Sequence, residues 1–393
     1  NYEKGIALLK IIEEKYLPLS EFYKKDEVLY SFGLFYSKTN QSSLAINSFL
    51  QLINEFPEYK NNETIQKTLP QLYFDNGDFN SALRFYRELK SFLQSRELIL
   101  DYDFGIIKCY LRLGMNDKAE EEFKAFNKNH GKINLYELNY NFEQILYYHK
   151  NKEYSKMGKL AKSILKDKNA DTELKAKTSY YQIIAELSQN DLKKAEEYAL
   201  NFLNTYKGKV INELRAQVYA KLGNIYYQKE DLKKSLGYYL KSEELDSKQA
   251  FVIYNLAHIN EKLQEYENAR KYYEKYLENA LDNEKSDIEF KIAFCYYYEK
   301  NYIKTLEQLN RLQEKYPEIG AKIHFYKGET YFNLNKFENA IIEYQKAYYI
   351  EKEGDFGITA HIKTAQCYER LNKIDSAKKI LNEVIKIYGT KSR

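Results

Sequence analysis

The sequence predicts an all-α fold: a solenoid of about ten stacked helix pairs, preceded by one orphan helix. Three observations carry that expectation. Four prolines and fifteen glycines in 393 residues, with 30% charged and 44% hydrophobic side chains, describe a folded and helix-rich chain. That length is too great for a single globular core, so several domains or an elongated repeat is expected. Finally, one small residue recurs at near-even intervals along the chain, the mark of a repeat architecture.

The elements follow in order. Residues 1–25 hold one apolar run, "GIALLKIIEEKYLP", which closes at Pro18 and has no partner; it is read as an orphan capping helix. Then the small residue appears as Ala45, Ala82, Ala119, Met157, Ala195, Ser235, Ala269, Thr305, Ala340 and Ala377, at intervals of 37, 37, 38, 38, 40, 34, 36, 35 and 37 residues. Each unit has two halves. Upstream of the anchor lies a run such as "YAKLGNIYYQK", whose Tyr219, Leu222 and Tyr226 fall three and four apart, on one helix face. A polar turn with Asn, Asp or Gly follows ("KED", "NGD", "QND"). The second half carries Leu236, Tyr239 and Leu240 as its expected buried stripe. One such pair is too short to bury its apolar faces alone, whereas stacked pairs share a continuous core.

Two prolines, Pro57 and Pro317, fall where a second helix must stop. Pro70 lies inside an expected first helix, which predicts a kink or a late start there. The 40-residue interval spans "NTYKGKVINEL", and a change of curvature is expected around Lys207–Val210. The solenoid is thus read as continuous, with divergent repeats over 26–207 and more regular ones over 208–393.

With Ala216 as position 1, Tyr219, Leu222, Gly223, Tyr226, Ser235, Tyr239 and Ser242 occupy positions 4, 7, 8, 11, 20, 24 and 27. In the first unit Phe32, Gly33, Tyr36, Ala45, Phe49 and Pro57 occupy positions 7, 8, 11, 20, 24 and 32. This pattern resembles the tetratricopeptide repeat, over about residues 26–389. Small residues at positions 8 and 20 let the two helices approach, and aromatic rings at positions 11 and 24 fill the space beside them. The units starting at Glu63, Leu100, Leu138 and Ala176 lack the glycine of position 8.

The resemblance implies a right-handed superhelical α-solenoid whose concave face is lined by positions 2, 5, 9, 12 and 13 of each first helix. Carried over, those positions give Tyr227, Phe251, Tyr254, Phe290, Phe294, Tyr297, Tyr298, Phe325 and Phe332 as the candidate partner-binding groove. Displayed aromatics suit capture of a helix or an extended peptide. Two other readings of the same rings stay open. They form a self-association surface in a larger assembly, or they are plain packing in a chain with 41 tyrosines. A carboxylate-clamping specificity is not assembled, since Asn224 at position 9 is accompanied by Ala220 at position 5.

No constellation supports catalysis. Cys109, Cys295 and Cys367 all fall at position 10 of non-adjacent units and read as small buried apolar residues, without disulfide or zinc spacing. The five histidines lie in different units, and His324 and His361 occupy the packing position 4. No metalloprotease helix, phosphate-binding loop or nucleophile elbow is present. The expectation is a non-catalytic protein without metal or cofactor, acting as a protein- or peptide-binding scaffold.

A net charge of +4 gives no reason to expect nucleic-acid binding. No run of about 18 apolar residues predicts a transmembrane helix. The chain begins at Asn1 rather than Met, which fits a processed product and leaves a removed export signal or lipid anchor open. Abundant Tyr, Lys and Asn without Trp suggest an AT-rich, bacterial genome. The repeat ends "LINEFPEYK" and "LQEKYPEIGAK" resemble those of bacterial cell-envelope repeats, which tilts the expected location toward the envelope over the cytoplasm.

Overall fold

The computed structural model describes residues 2–16, 24–208 and 211–388. Pro18, Lys209 and Val210, to which expectations were attached, lie outside the described residues. Helix α1 (Tyr2–Ile11) comes first, with the Phe35 ring lying against Gly5. Ten helix pairs follow. They are α2 (Lys25–Lys38) with α3 (Ser42–Glu55), α4 (Glu63–Asp75) with α5 (Phe79–Lys90), α6 (Arg96–Arg112) with α7 (Asn116–His130), α8 (Asn134–Lys150) with α9 (Tyr154–Lys166), and α10 (Thr172–Ser188) with α11 (Leu192–Thr205). The second five are α12 (Asn212–Gln228) with α13 (Leu232–Leu245), α14 (Ala250–Lys262) with α15 (Tyr266–Leu277), α16 (Asp282–Tyr298) with α17 (Tyr302–Lys315), α18 (Gly320–Asn333) with α19 (Phe337–Ile350), and α20 (Asp355–Arg370) with α21 (Ile374–Tyr388). No strand occurs among the described residues. Two compact units, Asn1–Tyr198 and Ala199–Arg393, divide the chain within α11.

Every anchor predicted from the sequence is at most 2% exposed and sits in a second helix. The polar anchors satisfy their hydroxyls locally: Ser235 Oγ donates to the Gly223 carbonyl at 2.7 Å, and Thr305 Oγ1 to the Asn301 carbonyl at 3.0 Å. The glycine of position 8 makes room for the ring of position 24. A Cβ built on Gly33, Gly223 or Gly328 would fall 2.5, 2.7 or 2.5 Å from Phe49, Tyr239 or Tyr344. One stripe is corrected. In α13 the buried residues are Ser235, Tyr239 and Ser242, spaced four and three apart, which turns Leu240 out to 41% exposure.

The turn inside each pair is built the same way ten times. Position 15 has positive φ in every repeat, at Asn40, Gly77, Gly114, Lys152, Asn190, Glu230, Gln264, Lys300, Asn335 and Asn372. The N–H of position 16 then donates to the carbonyl of position 11, as in Asp231 to Tyr226 at 3.0 Å and Asn301 to Tyr296 at 2.9 Å. This is a helix-ending motif in which one left-handed residue closes the first helix. In Asp78, Asp191, Asp231 and Asn301, position 16 also caps the second helix with its side chain, accepting an N–H at 3.0 to 3.3 Å. Left-handed backbone suits Gly and Asn but is strained for the exposed Lys152, Glu230, Gln264 and Lys300. Replacing any of these four by Gly is expected to stabilise its repeat by about 0.5–1 kcal/mol. Urea midpoints read this directly, and an unchanged or lowered midpoint for all four would count against the strain.

Pro57 and Pro317 end their helices as expected. Helices α3 and α17 stop two residues earlier, and Phe56 (φ −129°, ψ 79°) and Tyr316 (φ −134°, ψ 71°) leave the helical region before each proline. Pro70 gives no late start: α4 begins at Glu63, with the Asn62 side chain accepting the N–H groups of Thr64 and Ile65, and runs on through the proline. Lacking an N–H, Pro70 leaves the Gln66 carbonyl without its helical donor. The hydroxyl of Tyr102, on α6 of the next repeat and 2% exposed, donates to that carbonyl at 2.7 Å.

Candidate partner-binding face

The nine candidate rings all lie in the unit of residues 199–393, on the first helices α12, α14, α16 and α18. Contacts between neighbouring helices gather all but Phe332 into two groups. In the first, the Tyr227 hydroxyl lies 3.1 Å from His258 Nε2, and the imidazole stacks on Tyr254 at 6.2 Å between centroids. Tyr254 in turn meets Tyr276 of α15 edge-on at 5.3 Å. Phe251 stands at the end of this group, 55% exposed, with only its inner edge toward Tyr239. Burial holds the His258 imidazole below its ordinary range, so it packs as a neutral ring near pH 7.

The second group gathers around Tyr326 of α18. Its ring lies 5.3 Å from Phe290, 5.8 Å from Phe294, 5.9 Å from Tyr297 and 5.4 Å from Phe325. Tyr298, 43% exposed, stacks on Tyr266 at 4.8 Å and touches Phe294 at 4.5 Å. Phe290, by contrast, is 3% exposed and roofed by the Lys322 ammonium at 3.7 Å, so it packs inward rather than offering a surface. Phe332 is half-buried on Phe337.

Two carboxylates tie these helices together. Glu261 of α14 accepts from Lys291 of α16 at 3.3 Å and from the Tyr273 hydroxyl. Glu329 of α18 pairs with Lys363 of α20 at 3.0 Å and accepts from Tyr344. Asn333 donates to the Tyr297 hydroxyl at 2.9 Å. The face therefore alternates ring clusters with neutralised ion pairs, which gives apolar contact area without buried unpaired charge.

Register arguments missed three rings that join these clusters. His258 occupies position 9 and could have been found by admitting non-carbocyclic rings. Tyr326 is at position 6, outside the groove register, and joins because α16 and α18 pack closely. Phe356 precedes position 1 of the tenth repeat, and its ring lies 5.5 Å from Phe325.

The remaining polar candidates are structural. Cys109, Cys295 and Cys367 are buried thiols whose pKa burial pushes up to about 12, which makes them unreactive. His324 Nδ1 lies 2.6 Å from Glu343, and His361 stacks on Tyr348 at 4.0 Å. Burial raises the Glu343 carboxyl, yet the hydrogen bonds from His324 and Lys346 outweigh it and hold the group below its ordinary value. Among the described residues no group of three or more His, Cys, Asp or Glu could hold a metal ion, and no helix is long and apolar enough to cross a membrane.

Comparison with known proteins agrees with this geometry. Residues 216–249, 252–283 and 321–353 match one family model described as tetratricopeptide repeat, and residues 287–318 and 359–390 match a second with the same description. The chain is 25% identical, over 91% of its length, to the TPR repeat-containing protein MJ1428 of Methanocaldococcus jannaschii, and spans 63% of that protein. The crystal structure of the apo form of RapI superimposes with a TM-score of 0.52 at 14% identity, covering 84% of this chain and 98% of RapI, a likeness of fold alone. Such repeats support a protein–protein interaction scaffold. The same left-handed turn recurs in the five pairs before the α12–α13 pair, and from that pair onward, over residues 216–390, the chain is built of tetratricopeptide repeats.

Proposed function

We propose that the protein is a non-catalytic scaffold that holds a protein or peptide partner against the first-helix face of repeats six to nine. The observation that carries this reading is the exposure of Phe251 and Tyr298 next to buried and half-buried rings that hold them in place. Such supported rings bind with little loss of side-chain freedom, and a few of them supply most of the energy of an interface. Peptides displayed on phage and selected on the whole chain test the reading. Phe251→Ala with Tyr298→Ala is expected to weaken the selected peptides at least tenfold while helicity stays unchanged. Equal binding to the variant would show that the partner lies elsewhere.

A second reading has its own observation. Helix α19 exposes Ile342, Tyr349 and Ile350, which would suit contact with another copy of the chain. Light scattering across a concentration series separates the two: a monomer throughout speaks against self-association.

A further inference from the structure

We propose that a cavity between repeats seven and eight takes a basic side chain, arginine by preference, from the bound protein or peptide. The inference rests on the reading of the first-helix face as a partner surface and names what one part of that surface recognises. The cavity has a volume of about 380 Å³. Tyr254 and Tyr276 wall it, their rings inclined at 61°, and Ile288, 2% exposed, forms its base. Asn283, Glu284 and Asp287 of α16 stand at the rim, with the two carboxylates one helical turn apart.

Glu284 is held in place, accepting from the Tyr276 hydroxyl at 3.0 Å and from the Leu281 N–H at 3.3 Å. Asp287 is exposed, and its carboxylate makes no hydrogen bond or ion pair among the described residues. The cations around it are engaged or displaced. Lys285 pairs with Asp282 at 2.8 Å, and the Lys322 ammonium, which interacts with Asp287 through space, lies over the Phe290 ring. His258, stacked on Tyr254, packs neutral. The N-terminus of α16 contributes about half a positive charge, and the two carboxylates outweigh it.

A planar guanidinium matches this lining. It stacks on tyrosine faces, and its fork of N–H donors reaches carboxylates in two directions. The contrast with the neighbouring space sharpens the choice. Tyr276 also lines a second cavity of about 430 Å³, where the Lys275 ammonium is paired with Glu243 and Lys248 stands with Glu278, so that side holds no excess of negative charge. A basic side chain therefore meets unbalanced carboxylate on one side of the ring and none on the other.

The test places 3-fluorotyrosine at position 254 of the whole chain and titrates it with the blocked tripeptide Ac-Gly-Arg-Gly-NH2 at low ionic strength. The fluorine resonance is expected to shift saturably, and the shift to be absent with the neutral citrulline peptide. Asp287→Asn is expected to weaken the response about threefold or more, the scale of an exposed ion pair. Adding Glu284→Gln should abolish it, and raised salt should weaken it. No shift, an equal response to citrulline, a larger one to Ac-Gly-Phe-Gly-NH2, or indifference to both substitutions would overturn the assignment. Because this measurement uses no selected peptide, it fails or succeeds independently of the Phe251 and Tyr298 experiment.

Discussion

Gly357→Ala is expected to be the most damaging single methyl in the chain, costing about 3 kcal/mol and loosening the tenth repeat first. Gly357 is the third residue of α20, where the chain doubles back closely on the end of α19. A Cβ there would lie 1.7 Å from the carbonyl oxygen of Glu351 and 2.6 Å from its carbonyl carbon. Both atoms are backbone, so no rotamer change relieves the overlap, and α19 and α20 must separate. Gly354→Ala is the matched control. Its Cβ would meet the Glu351 side chain, which can swing into solvent. Hydrogen exchange on the two variants should show lost protection in α20 and α21 for Gly357→Ala and little change for Gly354→Ala. Similar protection in both would mean that the backbone contact is softer than its geometry implies.

Gly328→Ala is expected to cost about 2–3 kcal/mol. Here the obstacle is a side chain, but one without freedom to leave. The Tyr344 ring is fully buried, its edge would lie 2.5 Å from the new Cβ, and its hydroxyl is held by Glu329. Because the cost arises from one contact, removing the ring should remove most of it. Gly328→Ala combined with Tyr344→Leu is therefore expected to be less destabilising than the sum of the two by more than about 1 kcal/mol. Gly237→Ala on α13 provides the opposite case. Nothing lies within 4 Å of its Cβ, so the change should raise stability by up to about 1 kcal/mol through helix propensity. Chemical denaturation of the four variants measures the cycle, and additivity would show that the glycine and ring do not share a constraint.

The repeat was legible in the sequence because its requirements are local. A small residue at position 20 must be buried in every copy, and each of the ten is. The turn was legible as polar, yet its defining property was not. Lys152, Glu230, Gln264 and Lys300 hold the same left-handed backbone as Asn40 and Gly77, so the motif is imposed by the helices on either side rather than by turn residues. The face was legible only as a register. Register places Phe290 and Phe294 alike, but Lys322 covers one, and depth is set by the neighbouring repeat. Tyr326 was missed for the same reason, since its role depends on how closely two first helices approach. Leu240 shows the limit on the second helix, where one step along the chain carries a side chain from core to solvent.

The bond from Tyr102 to the Gln66 carbonyl bears on the order in which the chain can change. With Tyr102 present, position 70 tolerates either a proline or an N–H-bearing residue, since the carbonyl keeps a donor both ways. With phenylalanine at 102, a proline at 70 would strand a buried carbonyl, at about 1–3 kcal/mol. Only one ancestry avoids that step: the hydroxyl arrived first, and the proline followed under its protection. Reversal is barred in the same sense, because the tyrosine cannot be given up until the proline has gone.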